Sequence, residues 1–168
     1  MIRSFQGKTP RIAESAFVSE AAYVVGDVEI GENSSIWPGA VIRADFASVR
    51  VGDNTQIEDN CVVHSGIPLV IGDNVHIGHG AVVHCARIGN NVLIGNNATL
   101  LDNAEVGNLC VIGANALVSP GMVIPDRSLV LGIPAEVKGE PTDKQMAWVN
   151  DGVPAYVKLA QIYKDEGL

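Results

Sequence analysis

Aromatic residues are scarce in this sequence, at 5% of 168 residues, although 47% of the residues are hydrophobic. A core of layered helices or sheets usually contains more large rings, so an interior of aliphatic and small side chains is expected instead. Residues 1–8 lack the apolar run of a signal peptide, and no stretch approaches the about 20 apolar residues of a membrane-spanning helix. We therefore expect one globular domain that resides in the cytoplasm and not in a membrane.

Basic residues are also few, because 11 Lys and Arg face 19 Asp and Glu and leave a formal net charge of −8. Nucleic-acid affinity rests on basic side chains that neutralise phosphates, so neither a nucleic acid nor an anionic membrane is expected as a partner. The three cysteines, Cys61, Cys85 and Cys110, are too few for a disulfide framework and have no Cys-x-x-Cys spacing. We expect Cys61 and Cys110 to be buried structural thiols.

The sequence is rich in a repeat that places an aliphatic residue at every sixth position, a period that fits neither a helix nor a single strand. Two positions earlier the side chain is usually small, as at Ala40, Cys61 and Ala98. Each hexad then forms a short strand and a turn, and three hexads close a triangular coil. The repeat predicts an all-β fold, a parallel β-helix of roughly seven coils over residues 1–135. The aliphatic positions are Ile12, Val18, Val24, Ile30, Ile36, Ile42, Val51, Ile57, Val63, Ile71, Ile77, Val83, Ile88, Ile94, Leu100, Val106, Ile112, Val118, Ile124 and Val130.

Glycine often follows the aliphatic residue, and asparagine often comes two positions after the glycine. Both residue types tolerate positive φ, which a repeated tight corner needs. The pattern therefore predicts corners at these positions. The glycines are Gly31, Gly52, Gly72, Gly78, Gly89, Gly95, Gly107 and Gly113, and the asparagines are Asn33, Asn54, Asn74, Asn91, Asn97 and Asn115.

The C-terminal segment, residues 136–168, has a different pattern. Thr142 followed by Gln145 is a helix N-capping signal, and an apolar run follows it. The sequence Gly152-Val153-Pro154 predicts a break. We expect one or two helices packed on the outside of the β-helix. The apolar positions of the two runs are Met146, Trp148 and Val149, and then Val153, Tyr156, Val157, Ala160 and Tyr163.

All four histidines lie between residues 64 and 84, close to places where the six-residue count slips. Aligning the coils puts Val63 and Val83 in one column, so His64 and His84 should stack about 5 Å apart and can share one metal ion. His79 lies on the preceding face, out of reach of that metal within one chain. A second copy of the chain could supply His79, and three such contacts would close a homotrimer with three equivalent sites.

Three imidazole ligands leave a fourth position open, which is typical of a catalytic zinc site in which bound water loses a proton near neutral pH. The alternative is that these histidines are only polar surface residues. His76 precedes an aliphatic position and should point elsewhere, so its role stays open.

These residues resemble a known family. The segment Gln56-Ile57-Glu58-Asp59-Asn60-Cys61-Val62-Val63-His64, followed by Ile77-Gly78-His79 and His84, is similar to the γ-class carbonic anhydrases, which are left-handed β-helix trimers. The resemblance implies His64, His79 and His84 as metal ligands, with His79 contributed across the subunit interface. It also implies that Arg43, Asp45 and Asp59 belong to the interface set, where an Arg–carboxylate pair between two subunits would fix the register of the trimer.

Two departures from the family bear on catalysis. Glu58 stands where the family usually has glutamine, and a carboxylate cannot donate a hydrogen bond as an amide does. The sequence also lacks the acidic loops proposed to carry protons in the archaeal prototype, since Phe46-Ala47-Ser48 follows Asp45 and Ser65-Gly66-Ile67-Pro68 follows His64. Glu58 is a candidate replacement for them. Tyr156 or Tyr163 either leans over the metal as a hydroxyl donor or packs the helix.

The expected function is reversible hydration of CO₂ to bicarbonate by a metal-bound hydroxide, with Arg43, Asp45, Glu58 and Asp59 as catalytic candidates. The cofactor is Zn²⁺, with Fe²⁺ or Co²⁺ as alternatives, because imidazole suits all three. Two other functions stay open: an acyltransferase or thioesterase acting on CoA esters, and a non-catalytic trimeric scaffold whose metal joins three chains.

Overall fold

The computed structural model describes residues 1–168 and is a left-handed parallel β-helix of about seven turns, as the resemblance and the repeat predicted. Nearly all strands contain two or three residues and pair in parallel with a strand one coil away. The strands are β1 (Ile2–Arg3), β2 (Arg11–Ile12), β3 (Phe17–Val18), β4 (Tyr23–Ile30), β5 (Ser35–Ile36), β6 (Val41–Val51), β7 (Gln56–Ile57), β8 (Val62–His64), β9 (Leu69–Ile71), β10 (His76–Ile77), β11 (Val82–Val83), β12 (Arg87–Ile88), β13 (Leu93–Ile94), β14 (Thr99–Leu100), β15 (Glu105–Val106), β16 (Val111–Ile112), β17 (Leu117–Val118), β18 (Val123–Ile124), β19 (Leu129–Leu131) and β20 (Glu136–Gly139).

The aliphatic repeat forms the interior. Ile77 pairs with Ile57 on one side and with Ile94 on the other, so identical positions of successive coils stack in one column. These columns form a single core cluster of 35 buried residues. Cys61 and Cys110 are buried there as expected, and Cys85 is buried as well. Burial raises the pKa of the Cys61 thiol to about 12.

Three faces surround this core. The aliphatic face is the outer side of β8, β11, β14 and β17, and the first part of β6 continues it. The charged face is the outer side of β9, β12, β15 and β18, which the second part of β6 continues. The helix-covered face is the outer side of β3, β5, β7, β10, β13, β16 and β19.

The corners confirm the role expected of asparagine, because Asn33, Asn54, Asn74, Asn91, Asn97 and Asn115 all have positive φ. The expectation is wrong for the glycines that follow the aliphatic positions, none of which has positive φ. Glycine is needed at these positions because the coils lie close together: a Cβ on Gly52 would lie 2.7 Å from the carbonyl carbon of Gly72 in the next coil. These glycines let the coils approach each other at the corner.

Three interruptions of the repeat stack on one another at the corner between the aliphatic and charged faces. They lie between Ile42 and Val51, between Val63 and Ile71, and between Val83 and Ile88. β6 runs through the first of them and pairs with β8 before the corner and with β9 after it. Relative to a spacing of six, the first interruption adds three residues and the second adds two, whereas the third is one residue shorter, so the corner is widened in the first two of these coils.

The C-terminal segment contains helix α1 (Asp143–Ala147), a π-helical turn (Trp148–Gly152) and helix α2 (Val153–Glu166). The Thr142–Gln145 capping box is present at the start of α1. The predicted break at Gly152-Val153-Pro154 is wrong, because the π-helical turn leads directly into α2, and Pro154 lies in the first turn of α2. No helix has the length and apolar character needed to cross a membrane.

The segment covers one face of the β-helix through an aromatic cluster. The ring centroid of Trp37 lies 5.1 Å from that of Tyr163, 5.4 Å from that of Tyr156 and 5.3 Å from that of Phe17. Residues 136–139 form β20, which pairs antiparallel with β19, and this pairing was not anticipated. The division into residues 1–135 and 136–168 stays a prediction.

The close approach of the coils predicts that Gly52→Ala destabilises the protein by about 1–3 kcal/mol, since the added methyl group has to displace backbone. Urea unfolding followed by circular dichroism measures the change. Gly66→Ala is the matched control, because a Cβ there meets no atom within 4 Å and φ is not positive. Equal midpoints for the two variants would contradict the close-approach explanation.

Candidate metal centre

Arg43, His64 and His84 form a vertical column at the widened corner. Arg43 pairs in register with His64, and Val63 pairs with Val83, the residue before His84. The imidazole rings of His64 and His84 lie 5.2 Å apart, centroid to centroid, which agrees with the spacing expected from the sequence. Two nitrogen donors are therefore presented side by side in one chain.

Asp45 contacts two residues of this column, Arg43 and His64. One carboxylate oxygen lies 2.5 Å from Arg43 Nη1 and the other 3.1 Å from His64 Nε2. Burial opposes ionisation of Asp45, but the hydrogen bonds from Arg43, a backbone N–H and His64, together with the charge of Arg43, outweigh it and lower the pKa of the carboxyl group. The pKa of His64 is lowered by burial and by the charge of Arg43, which favours the neutral imidazole that a metal requires. Arg43 pairs within its own chain here, so a pair between subunits stays a prediction.

His84 is oriented by a residue that the sequence analysis did not identify. Its Nδ1 lies 3.2 Å from Asp102 Oδ1, which leaves Nε2 free. Metal-ligating histidines usually donate their other ring N–H to a carboxylate in this way. The strand register could have indicated this contact from the sequence, because Asp102 follows Leu100 by two residues and Leu100 pairs with Val83, the residue before His84.

His79 lies at the opposite edge of the aliphatic face, in the turn between β10 and β11. Its Nδ1 is 3.0 Å from Asp59, and its Nε2 is 3.1 Å from Glu58. The side chain is 51% exposed. Within one chain His79 does not join His64 and His84, and no group of three or more His, Cys, Asp or Glu side chains converges to hold a metal.

Glu58 is buried, with 3% of its surface exposed, between the β-helix and the C-terminal segment. Its Oε1 lies 2.9 Å from His76 Nε2, and its Oε2 accepts a 3.0 Å hydrogen bond from the backbone N–H of His79. Burial acts to raise the pKa of Glu58, but the interactions with His76 and the Tyr156 hydroxyl outweigh it and lower the pKa. Glu58 is therefore a carboxylate at neutral pH.

The structure distinguishes the two tyrosines and places His76. The Tyr156 hydroxyl lies beside Glu58, whereas Tyr163 packs in the aromatic cluster with Phe17 and Trp37. His76 points at Glu58 under the C-terminal segment, and it is not a solvent-facing residue. Sequence reasoning missed this contact because the covering segment is distant in sequence.

The side chains present fit a divalent metal such as zinc. Imidazole nitrogen is a preferred donor for Zn²⁺, Fe²⁺ and Co²⁺. Asp102 holds one ring nitrogen of His84 and leaves the other free. Both ring nitrogens of His79 contact carboxylates, one from Asp59 and one from Glu58, so one of these two contacts must be released for His79 to bind a metal. His64 and His84 lie at the edge of the aliphatic face, with 13% and 29% of their side-chain surfaces exposed. The set of three histidine donors is complete only if the His79 side chain lies next to His64 and His84.

Comparison with known proteins defines the class first. The bacterial transferase hexapeptide model (six repeats) matches residues 9–44 and 85–120, and the model for the hexapeptide repeat of succinyl-transferase matches residues 48–85. The fold is similar to that of a hexapeptide transferase family protein from Anaplasma phagocytophilum, with a TM-score of 0.92 and 33% identity, covering 96% of this chain and 97% of that chain. The chain is a hexapeptide-repeat β-helix protein.

Two curated relatives narrow the class. The carbonic anhydrase of Geobacillus kaustophilus is 42% identical, over 98% of this chain and 91% of that protein. Gamma carbonic anhydrase 2, mitochondrial, of Arabidopsis thaliana is 38% identical over 95% of this chain, which spans 60% of the length of the plant protein. The chain belongs to the γ-class carbonic anhydrase family.

The environment of Glu58 predicts a pH-dependent effect of Glu58→Gln. A carboxyl group whose pKa is lowered on folding stabilises the protein above its unfolded-state pKa, and this contribution is lost as the pH falls through the folded-state value. We therefore expect Glu58→Gln to be less stable than the unmodified protein at pH 7, and the difference to shrink below about pH 4.5.

Urea unfolding in EDTA between pH 7 and pH 3 measures this difference without a contribution from bound metal. Glu136→Gln is the control, because Glu136 pairs with Lys138 on the exposed surface and should change stability little at any pH. If the difference in free energy of unfolding between Glu58→Gln and the unmodified protein grew on acidification, the assignment of Glu58 as a carboxylate at neutral pH would be contradicted.

Proposed function

We propose that the protein is a metal-dependent carbonic anhydrase-like enzyme that interconverts CO₂ and bicarbonate at sites shared between subunits of a homotrimer. One observation carries the proposal: His64 and His84 stack at one edge of the aliphatic face, and His79 stands at the opposite edge of the same face. A three-fold arrangement of chains around these faces brings the two edges together three times.

The aliphatic face has the character of a subunit interface. Its outward side chains include Val62, which is 40% exposed, and the half-buried Val82 and Leu117. Thr99 lies between Val82 and Leu117 in this column, and the other outward side chains are aliphatic. Exposed aliphatic side chains that lie close together favour association with another surface. The charged face instead carries ion pairs such as Arg50 with Asp27 and Glu29. Packing of three aliphatic faces would bury apolar surface and complete the donor sets in one step.

The proposed ligands are His64 and His84 of one subunit and His79 of the next, with Zn²⁺, Fe²⁺ or Co²⁺ as the metal. A bound metal would supply Lewis-acid activation of water. Asp102 and Asp59 orient the imidazoles. Asp45 contacts His64 and is itself held by Arg43, so the two residues fix that ring. CO₂ is small and neutral, so the site needs no basic cluster or phosphate-binding loop.

Hydration releases a proton, which must leave the site. Glu58 Oε2 contacts His79 and is the proposed acceptor. The lowered pKa makes this carboxylate a weak base, so proton transfer to it is unfavourable near neutral pH. We therefore expect slower hydration than in an enzyme with solvent-exposed acidic loops.

Residence of the protein in the cytoplasm also stays a prediction.

A second function is favoured by the space beside His79. A cavity of about 400 Å³ is bordered by His79, Leu93, Val111 and Trp148, and a neighbouring one of about 490 Å³ shares the last three residues and reaches Lys144. These volumes suit an organic ligand and exceed what CO₂ needs. Hydrolysis of a CoA thioester by the same metal centre is thus the alternative.

Shared sites predict complementation between two defective variants. His79→Ala and the double variant His64→Ala/His84→Ala should each lose the metal while keeping the β-helix. Co-expressed and selected as mixed trimers, they should regain metal at about one third of the sites, because every mixed trimer contains one interface with all three histidines. Elemental analysis of hybrids purified through two different tags measures this. Metal retained by a His79→Ala monomer would contradict a shared site.

The activity is tested on protein purified without oxygen. CO₂ hydration followed by a pH indicator should be lost when chelators remove the metal and return when Zn²⁺, Fe²⁺ or Co²⁺ is restored. Hydrolysis of acetyl-CoA, measured on the same samples, separates the alternative function. Lys144→Ala should reduce thioester hydrolysis and leave CO₂ hydration unchanged, since Lys144 borders only the second cavity, which CO₂ does not need. Metal-loaded trimers without hydration activity would contradict the proposed function.

A further inference from the structure

His76 is a buried polar residue that no role so far explains. Its side chain is 4% exposed, and the rings of Tyr156 and Trp148 lie 5.1 Å and 6.4 Å away. The Nε2 atom contacts Glu58 at 2.9 Å, and the Nδ1 atom has no hydrogen-bond partner. A buried polar atom without a partner costs about 1–3 kcal/mol, so packing alone does not account for a histidine here.

Glu58 joins His76 to a proposed metal ligand. One carboxylate oxygen contacts His76, and the other accepts a hydrogen bond from the backbone N–H of His79 and faces its Nε2. Fixing one oxygen therefore fixes the plane of the carboxylate, and with it the turn that carries His79. Tyr156 supports the same carboxylate from the C-terminal segment.

We infer that His76 is a positioning residue of the metal centre, which holds Glu58 so that Glu58 can hold His79 in the orientation the neighbouring subunit requires. The inference rests on the proposed function. Partners of metal-ligating residues typically change metal affinity by about 10–100-fold when they are removed. His76 is one contact further out, but it is the group that fixes Glu58 from within the β-helix.

The neighbours of His76 in its own column show that the contact is specific. Gln56 lies one coil before His76 and Leu93 one coil after it, in register. Gln56 is also buried and polar, but its Nε2 donates to the carbonyl oxygen of Asn54 and makes no contact with Glu58. Leu93 demonstrates that an apolar side chain fits at the same position of the coil. The column thus supplies a matched control for a variant of His76.

The test measures metal affinity of the assembled trimer by competition with a chromophoric chelator, using Zn²⁺ and Co²⁺. His76→Leu should bind metal about 10–100-fold more weakly than the unmodified protein. His76→Gln should restore most of the affinity, because the glutamine amide can donate from the place of Nε2. Gln56→Leu removes a buried polar group of the same column and should leave affinity unchanged.

Visible absorption of the Co²⁺-loaded trimers gives a readout independent of activity. The Co²⁺ spectrum should change in His76→Leu, where His79 is less well fixed, and stay unchanged in Gln56→Leu. In a Glu58→Gln background, His76→Leu should cause little further loss of metal affinity, since both substitutions act through the same contact. If His76→Leu does not fold, His76→Asn replaces it, because asparagine is polar but too short to reach Glu58.

The outcomes separate two failures. An unmodified trimer that binds no metal would overturn the proposed metal centre and the positioning role with it. A trimer that binds metal with equal affinity in the unmodified, His76→Leu and Gln56→Leu forms would overturn the positioning role alone. Equal losses from His76→Leu in the unmodified and in the Glu58→Gln backgrounds would also overturn it, because the effect would then not pass through the carboxylate of Glu58.

Discussion

The stacking of each coil on the next is the constraint on which the rest of the structure depends. Strands of two or three residues have no partner within their own coil, so their hydrogen bonds all run to the coils on either side. The aliphatic columns inside and the glycines at the corners both serve this stacking, because the first fill the interior and the second allow close approach. Any position of the sequence is thereby fixed relative to the same position one coil away.

This constraint turns small irregularities of the repeat into a site. The three interruptions occur in successive coils, so they stack at one corner, where the first two add residues and the third removes one. His64 and His84 follow Val63 and Val83, and the register of those two residues sets the 5.2 Å separation of the rings. Asp102 reaches His84 for the same reason. The arrangement needs no loop of unusual conformation, only the register of the β-helix.

The C-terminal segment supplies what the β-helix lacks. Its π-helical turn and α2 cover one face and place Trp148 and Tyr156 over His76 and Glu58. A carboxylate with 3% exposure is stable there because fixed donors surround it. Burial of Glu58 connects the packing of the helix to the orientation of His79. The helical segment is therefore part of the candidate centre as well as a cover for the β-helix.

The sequence by itself determined the β-helix, its core columns and the stacking of His64 on His84, because the six-residue period on either side of its three interruptions leaves one way to align the coils. It also determined that Asp59 lies below His79. It did not reveal the continuous helical path through Gly152, the pairing of β20 with β19, or the contacts of Glu58 with His76 and Tyr156. Those depend on how a distant segment packs against one face, and no periodicity records that contact. Tertiary structure alone decided that His76 is buried, since its sequence position marks it only as outward-facing.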